Sequence, residues 1–129
     1  VYAKAATEDP AIKAIYAAVK KPLESAYNVA LRNYFELPTA HGINVEGYEG
    51  AVGEKIVVKA SDSCKVDKVR VVIKTSGGMV IEEGYAVVSI NGLDWEYTAI
   101  TANPATSGNV VTATVYNLPG NTSSLNVTL

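Results

Sequence analysis

The period of hydrophobic alternation changes once along these 129 residues, and the change limits what each part can become. From Ile12 to Leu37 apolar residues recur at helical spacing. From about Ile43 onward they recur every second residue. The two patterns are not interchangeable, because 3.6-residue spacing gathers side chains on one side of a helix and alternation sends successive ones to opposite faces of a sheet. The change falls at Leu37-Pro38-Thr39-Ala40-His41-Gly42, whose proline and glycine end a helix and open a loop. The chain therefore reads as an N-terminal helix and connector over 1–42, followed by a β part over 43–129.

Thr7-Glu8-Asp9-Pro10 opens the helical part. Thr7 or Asp9 can cap the exposed amides, the acids suit the positive end of the helix dipole, and Pro10 fits a first turn. At 100° per residue Ile12, Tyr16, Val19, Leu23, Tyr27, Ala30, Tyr34 and Leu37 share one face, with Lys13, Lys21, Glu24, Asn28 and Arg32 away from it. Pro22 interrupts the turn that follows Ala18, yet the stripe continues in phase. The pattern predicts one helix over about 9–36, kinked at Pro22, with two short helices as the alternative. Three phenols, Tyr16, Tyr27 and Tyr34, then line one stripe.

Seven strands are expected in the β part. The first is Ile43–Tyr48. Lys55–Ala60 then places Ile56, Val58 and Ala60 together, and Val66–Thr75 places Val69, Val71 and Ile73 opposite Lys68, Arg70 and Lys74. Gly77-Gly78 turns into a run Met79–Ile90. Asn91-Gly92, the strongest hairpin signal in the chain, leads to Asp94–Ile100 with Trp95, Tyr97 and Ala99 on one face. Asn109–Tyr116 and Thr122–Leu129 complete the set. Close turn spacing indicates an antiparallel two-sheet sandwich, with Val58, Val71, Ile73, Trp95, Tyr97, Val111, Ala113 and Val127 facing inward.

The stretch Ile56-Val57-Val58-Lys59-Ala60-Ser61-Asp62, with Val66, Val69, Val71 and Ile73 after it, resembles the early strands of bacterial immunoglobulin-like modules. Thr112-Ala113-Thr114-Val115 and the turn Leu118-Pro119-Gly120-Asn121-Thr122-Ser123-Ser124 resemble their last hairpin, with Asn117 where an Asp usually stands. The resemblance covers most of 43–129 and none of the helix. It implies a seven-stranded sandwich that serves as a spacer, adhesive or assembly unit of surface proteins, and so an extracellular or cell-surface setting.

The composition, 48% hydrophobic and 19% charged, is that of a folded chain long enough to bury a core without staples. A net charge of −2 with no basic cluster argues against nucleic acid, and no run of 18 apolar residues argues against membrane insertion. Asn121-Thr122-Ser123 and Asn126-Val127-Thr128 fit the glycosylation sequon.

Chemistry-bearing residues are sparse. His41 is the only histidine and reads as a solvated loop residue; Cys64 is the only cysteine, and although Lys65 beside it could lower its pKa, a lone thiol with no second cysteine or nucleophile motif reads as incidental. Glu82 and Glu83 are adjacent, so a strand sends them to opposite faces and they cannot act as a pair. Asp62, Asp67 and Asp94 lie near loop ends but lack the dense oxygen pattern calcium needs. Trp95 reads as a core anchor before it reads as a sugar platform.

No catalytic residue, cofactor or metal site is expected. The reading is a non-enzymatic structural or adhesive subunit that assembles with copies of itself through Ile12, Tyr16, Val19, Leu23, Tyr27 and Tyr34. The alternative is a carbohydrate- or small-ligand-binding module that uses the loops at one end of the sandwich.

Overall fold

The computed structural model describes residues 1–20 and 25–129. Within them lie three helices, α1 (Tyr2–Glu8), α2 (Pro10–Val19) and α3 (Ala26–Tyr34). Eight strands follow, β1 (Thr39–Asn44), β2 (Lys55–Ser61), β3 (Val66–Lys74), β4 (Val80–Tyr85), β5 (Val87–Val88), β6 (Asp94–Thr98), β7 (Val110–Asn117) and β8 (Thr122–Thr128). The strands form two antiparallel four-stranded sheets, ordered β1-β2-β6-β5 and β4-β3-β7-β8.

The single helix expected over about 9–36 is two, α2 and α3, as in the alternative reading, with α1 ahead of them, and local chemistry explains their ends. Asp9 precedes a proline, which favours extended backbone there (φ −91°, ψ 114°) and ends α1. Its carboxylate then accepts from the amides of Ala11 and Ile12 at 2.9 and 3.3 Å, and Pro10 opens α2. Lys20 is extended at ψ 146°, so α2 stops there. Ser25 starts α3 afresh by accepting from the amide of Asn28 at 3.1 Å. The proposed kink at Pro22 and the stripe position Leu23 lie outside the described residues. Helix α1 was not expected at all.

Period-two patterning carries over into the sheets. Ile56, Val58, Val69, Val71, Ile73, Val111, Ala113 and Val115 have essentially no exposed surface, and Trp95, Tyr97 and Ala99 join them in one core. Val127 is only half-buried, because β8 is an edge strand.

Eight strands stand where seven were expected. The run Met79–Ile90 divides at buried Ala86, whose amide donates to the carbonyl of Val69 at 2.9 Å. Before it the chain pairs with β3; after it the chain has crossed to the other sheet and pairs with β6. The first strand also begins earlier than expected, at Thr39, which places His41 in a strand and not in a loop.

Asn91-Gly92 does turn the chain between paired strands, β5 and β6. The turn is wider than a two-residue hairpin. The amide of Gly92 donates to Ser89 and that of Ser89 to Asp94, while Asn91 Oδ1 accepts from the amides of Leu93 and Asp94. Gly50 is demanded by its site: its φ is +103°, and a Cβ there would stand 1.9 Å from the carbonyl oxygen of Asn103.

Candidate interaction surface

The three helices pack together over one end of the sandwich. Ala3 and Ala6 of α1, Tyr16 of α2 and Ala26, Val29 and Ala30 of α3 form a second core, against which Cys64 and Leu118 from the strand connections pack. The buried positions of α3 are Ala26, Val29, Ala30 and Asn33, the i, i+3, i+4, i+7 ladder of one helix face. Alanines predominate on the contacting faces of α1 and α3, where short side chains let two backbones approach.

This packing leaves the larger apolar residues of α3 outside. Tyr27, Leu31 and Tyr34 follow one another at helical spacing on the outward side and are each nearly half exposed. Phe35 and Leu37 continue the patch at 77% and 68% exposure. Tyr34 stacks on Tyr2 at 5.8 Å between ring centroids and meets Phe35 edge to face at 5.1 Å.

The expected stripe is thus divided. Tyr16 is fully buried within its own chain, so the expectation that it faces another copy does not hold. Ile12 is half-buried against the helical core, and Val19 is 37% exposed at the end of α2. Tyr27 and Tyr34 are exposed, but on a face they share with Leu31 and not with Tyr16. The helical phase is broken at Lys20, so the count of 100° per residue does not run from Tyr16 to Tyr27.

A polar network ties the helices to the sandwich. Tyr2 and Tyr16 share a hydrogen bond between hydroxyls, and Tyr16 donates to Asn33 Oδ1 at 3.0 Å. Asn33 Nδ2 donates to Asp62 at 3.0 Å, and Asn117 Nδ2 donates to the same carboxylate at 3.2 Å and to the carbonyl of Glu36 at 3.0 Å. Both asparagines are fully buried, so these bonds replace water for groups that would otherwise be costly to enclose. Burial, and then the bond to Tyr2, holds the Tyr16 phenol well above its ordinary pKa.

The part that Asn33 and Asn117 play in this network was not read from the sequence. Asn33 was open to discovery as the i+7 partner of Ala26, and Asn117 was singled out only as the turn residue standing where an Asp usually does.

Cys64 packs beside this network. Burial raises its thiol pKa, and the bond from Ser63 and the Arg32 charge offset this only in part, so the lowering that Lys65 could bring is not what the site produces. Exposed His41 reaches Ser61 Oγ at 2.6 Å.

Glu82 and Glu83 do face opposite ways. Glu83 pairs with Arg70 on the surface. Glu82 is buried and accepts from the Tyr97 hydroxyl at 2.5 Å and from the amides of Ile100 and Thr101, a structural clamp and not a solvated carboxylate. Among the described residues no three His, Cys, Asp or Glu side chains are grouped to hold a metal, and no helix is long and apolar enough to cross a membrane.

The second surface feature is a cleft of about 750 Å³ where the sandwich opens beside β5. One wall is Lys65, Val66 and Asp67 at the start of β3; the other is Ala86 to Ser89, with Trp95 and Ala60 also lining the space. Val88 stands opposite Trp95 in the β5–β6 ladder and is 46% exposed. The cleft is therefore a place where the apolar interior meets solvent.

No family model and no curated protein matches the chain. Among solved structures, the crystal structure of an engineered protein is similar at 22% identity and a TM-score of 0.49 over 69% of this chain. The chain spans 19% of that protein's length.

Proposed function

We propose that this chain is a non-enzymatic structural or adhesive unit of the immunoglobulin-like kind that assembles with copies of itself through the outward face of α3. The observation that carries the reading is that α3 has two apolar faces and its own chain covers one. A short helix needs a single packed face to be stable. Tyr27, Leu31, Tyr34, Phe35 and Leu37 serve no packing requirement of comparable weight within the chain, and a contiguous exposed patch of aromatic and aliphatic side chains is the usual mark of an interaction surface.

Strand order supports the immunoglobulin-like part of the reading. The sheet β1-β2-β6-β5 follows the A-B-E-D order of such sandwiches. The strands β3-β7-β8 follow C-F-G, with β4 as an added edge strand. Buried Trp95 fits a core anchor, though it sits on β6 and not on the C-like strand β3. The carbohydrate alternative loses its best residue here, since an indole only 8% exposed is not a stacking platform.

Sedimentation velocity across a dilution series tests the proposal. The wild type should grow in mass with concentration. The double variant Tyr27→Glu, Leu31→Glu should stay monomeric with an unchanged circular dichroism spectrum. A wild type that is monomeric at every concentration would overturn it.

A further inference from the structure

The outward face of α3 is exposed, aromatic and aliphatic, and the cleft beside β5 is concave and lined in part by the core residues Val66 and Trp95. We infer that the cleft of one copy receives the Tyr34–Phe35–Leu37 end of α3 from a second copy. This rests on the assembly reading above and names the surface that the helix face meets.

Three observations carry it. The first is area. Tyr27, Leu31, Tyr34, Phe35 and Leu37 together expose on the order of 600 Å², most of the ~800 Å² that one partner contributes to a standard interface. The second is preorganisation. Tyr34 is stacked on Tyr2 and meets Phe35 edge to face at 5.1 Å, contacts that reduce the side-chain freedom to be lost when the group docks.

The third is the cleft itself. At about 750 Å³ it has the volume of sites that enclose a small molecule, and its lining includes Val66, Val88, Leu93 and Trp95. Aromatic anchors seated in such desolvated pockets dominate association energies. Charge is mixed on both sides: Asp62, Lys65 and Asp67 line the cleft, and Arg32 and Glu36 adjoin the aromatic patch.

A contact between two different patches of the same chain is heterologous. Each copy then has one anchor and one cleft free to continue the assembly, so it grows beyond a dimer unless the rotation closes a ring.

The test is complementation. Phe35→Asp removes the anchor and leaves the cleft; Val88→Lys blocks the cleft and leaves the anchor. Each variant alone should be monomeric, its self-association weakened by at least about tenfold. An equimolar mixture should form a 1:1 dimer and stop there, because one sound anchor meets one sound cleft. Leu93→Lys, in an exposed turn, provides a second cleft variant should Val88→Lys perturb folding, and circular dichroism reports that directly.

If both cleft variants assemble like the wild type while Phe35→Asp does not, the inference is wrong and the assembly reading stands, with α3 faces pairing with each other. A mixture that remains monomeric overturns the inference in the same way. A wild type that never associates overturns both.

Discussion

The sandwich has two seams where its sheets come together, and they are finished differently. On one side β1 lies against β8: Ser123 donates to the carbonyl of Pro38 at 2.6 Å, and Asn121 Nδ2 reaches the carbonyls of Tyr34 and Glu36 at 2.7 and 2.8 Å. Ala40 and Ile43 of β1, with Leu129 after β8, pack partly buried on the core. On the other side the chain leaves β4, crosses at Ala86, and forms a β5 of only two residues, with Val87 at 71% exposure. The closed seam satisfies its backbone with side-chain donors and sinks its apolar groups. The open seam leaves Val87 and Val88 exposed. The helical lid sits over the end of the sandwich where Asp62, which also lines the cleft, accepts from Asn33 and Asn117.

The largest effect expected from disturbing this contrast lies at the closed seam. Asn117→Ala removes donors to Asp62 and to the carbonyl of Glu36 and an acceptor for the amide of Asn121. It should cost about 3 kcal/mol in denaturant unfolding, the range for a broken buried network. A loss below about 1 kcal/mol would show that water replaces the amide and that the lid is not held as described.

Alkaline titration should be the next most disruptive. Burial raises the phenols of Tyr16 and Tyr97 and the thiol of Cys64, with hydrogen bonds to Tyr2 and Glu82 adding to the shift of the two phenols. The folded state then holds these protons longer than the unfolded state. Their contribution is intact below the unfolded values of about 8.5 for the thiol and about 10 for the phenols, and is lost as pH rises from there through the folded values. Stability measured between pH 7 and pH 11 should fall only in the upper part of that range. A decline already under way near neutral pH would contradict the assignment.

What the sequence made legible follows from what burial enforces. Alternation at Ile56–Ala60, Val69–Ile73 and Trp95–Ala99 was readable because one face of each strand is sealed in the core, and a slip of one residue would expose it. The Met79–Ile90 run was not, because the crossing at Ala86 depends on a bond to Val69 that no local pattern announces. The exposed apolar face of α3 was half legible. Tyr27 and Tyr34 were identified, but Tyr16 was assigned to their face by carrying a helical count past Lys20. Leu31 and Phe35 were passed over because that count placed them off the stripe. Tertiary packing decided the matter: α1, Ala-rich and overlooked, takes the small-residue face of α3 and leaves the large one outside.

Smaller changes sharpen the comparison. Ser123→Ala deletes the bond to Pro38 and should cost about 1 kcal/mol, the usual worth of one hydrogen bond. Val87→Thr, at the open seam, should leave monomer stability within about 0.5 kcal/mol, as substitutions on uncovered surface do. If the second change proved the more costly of the two, the seams would not differ in the way proposed.

The most direct measurement is native-state hydrogen exchange at two protein concentrations, comparing the amides around Val87–Val88 with those of β8. Association at the open seam predicts that exchange around β5 slows as concentration rises, while β8 keeps the same rates throughout. Rates around β5 that do not depend on concentration, or added protection confined to β8, would contradict the account.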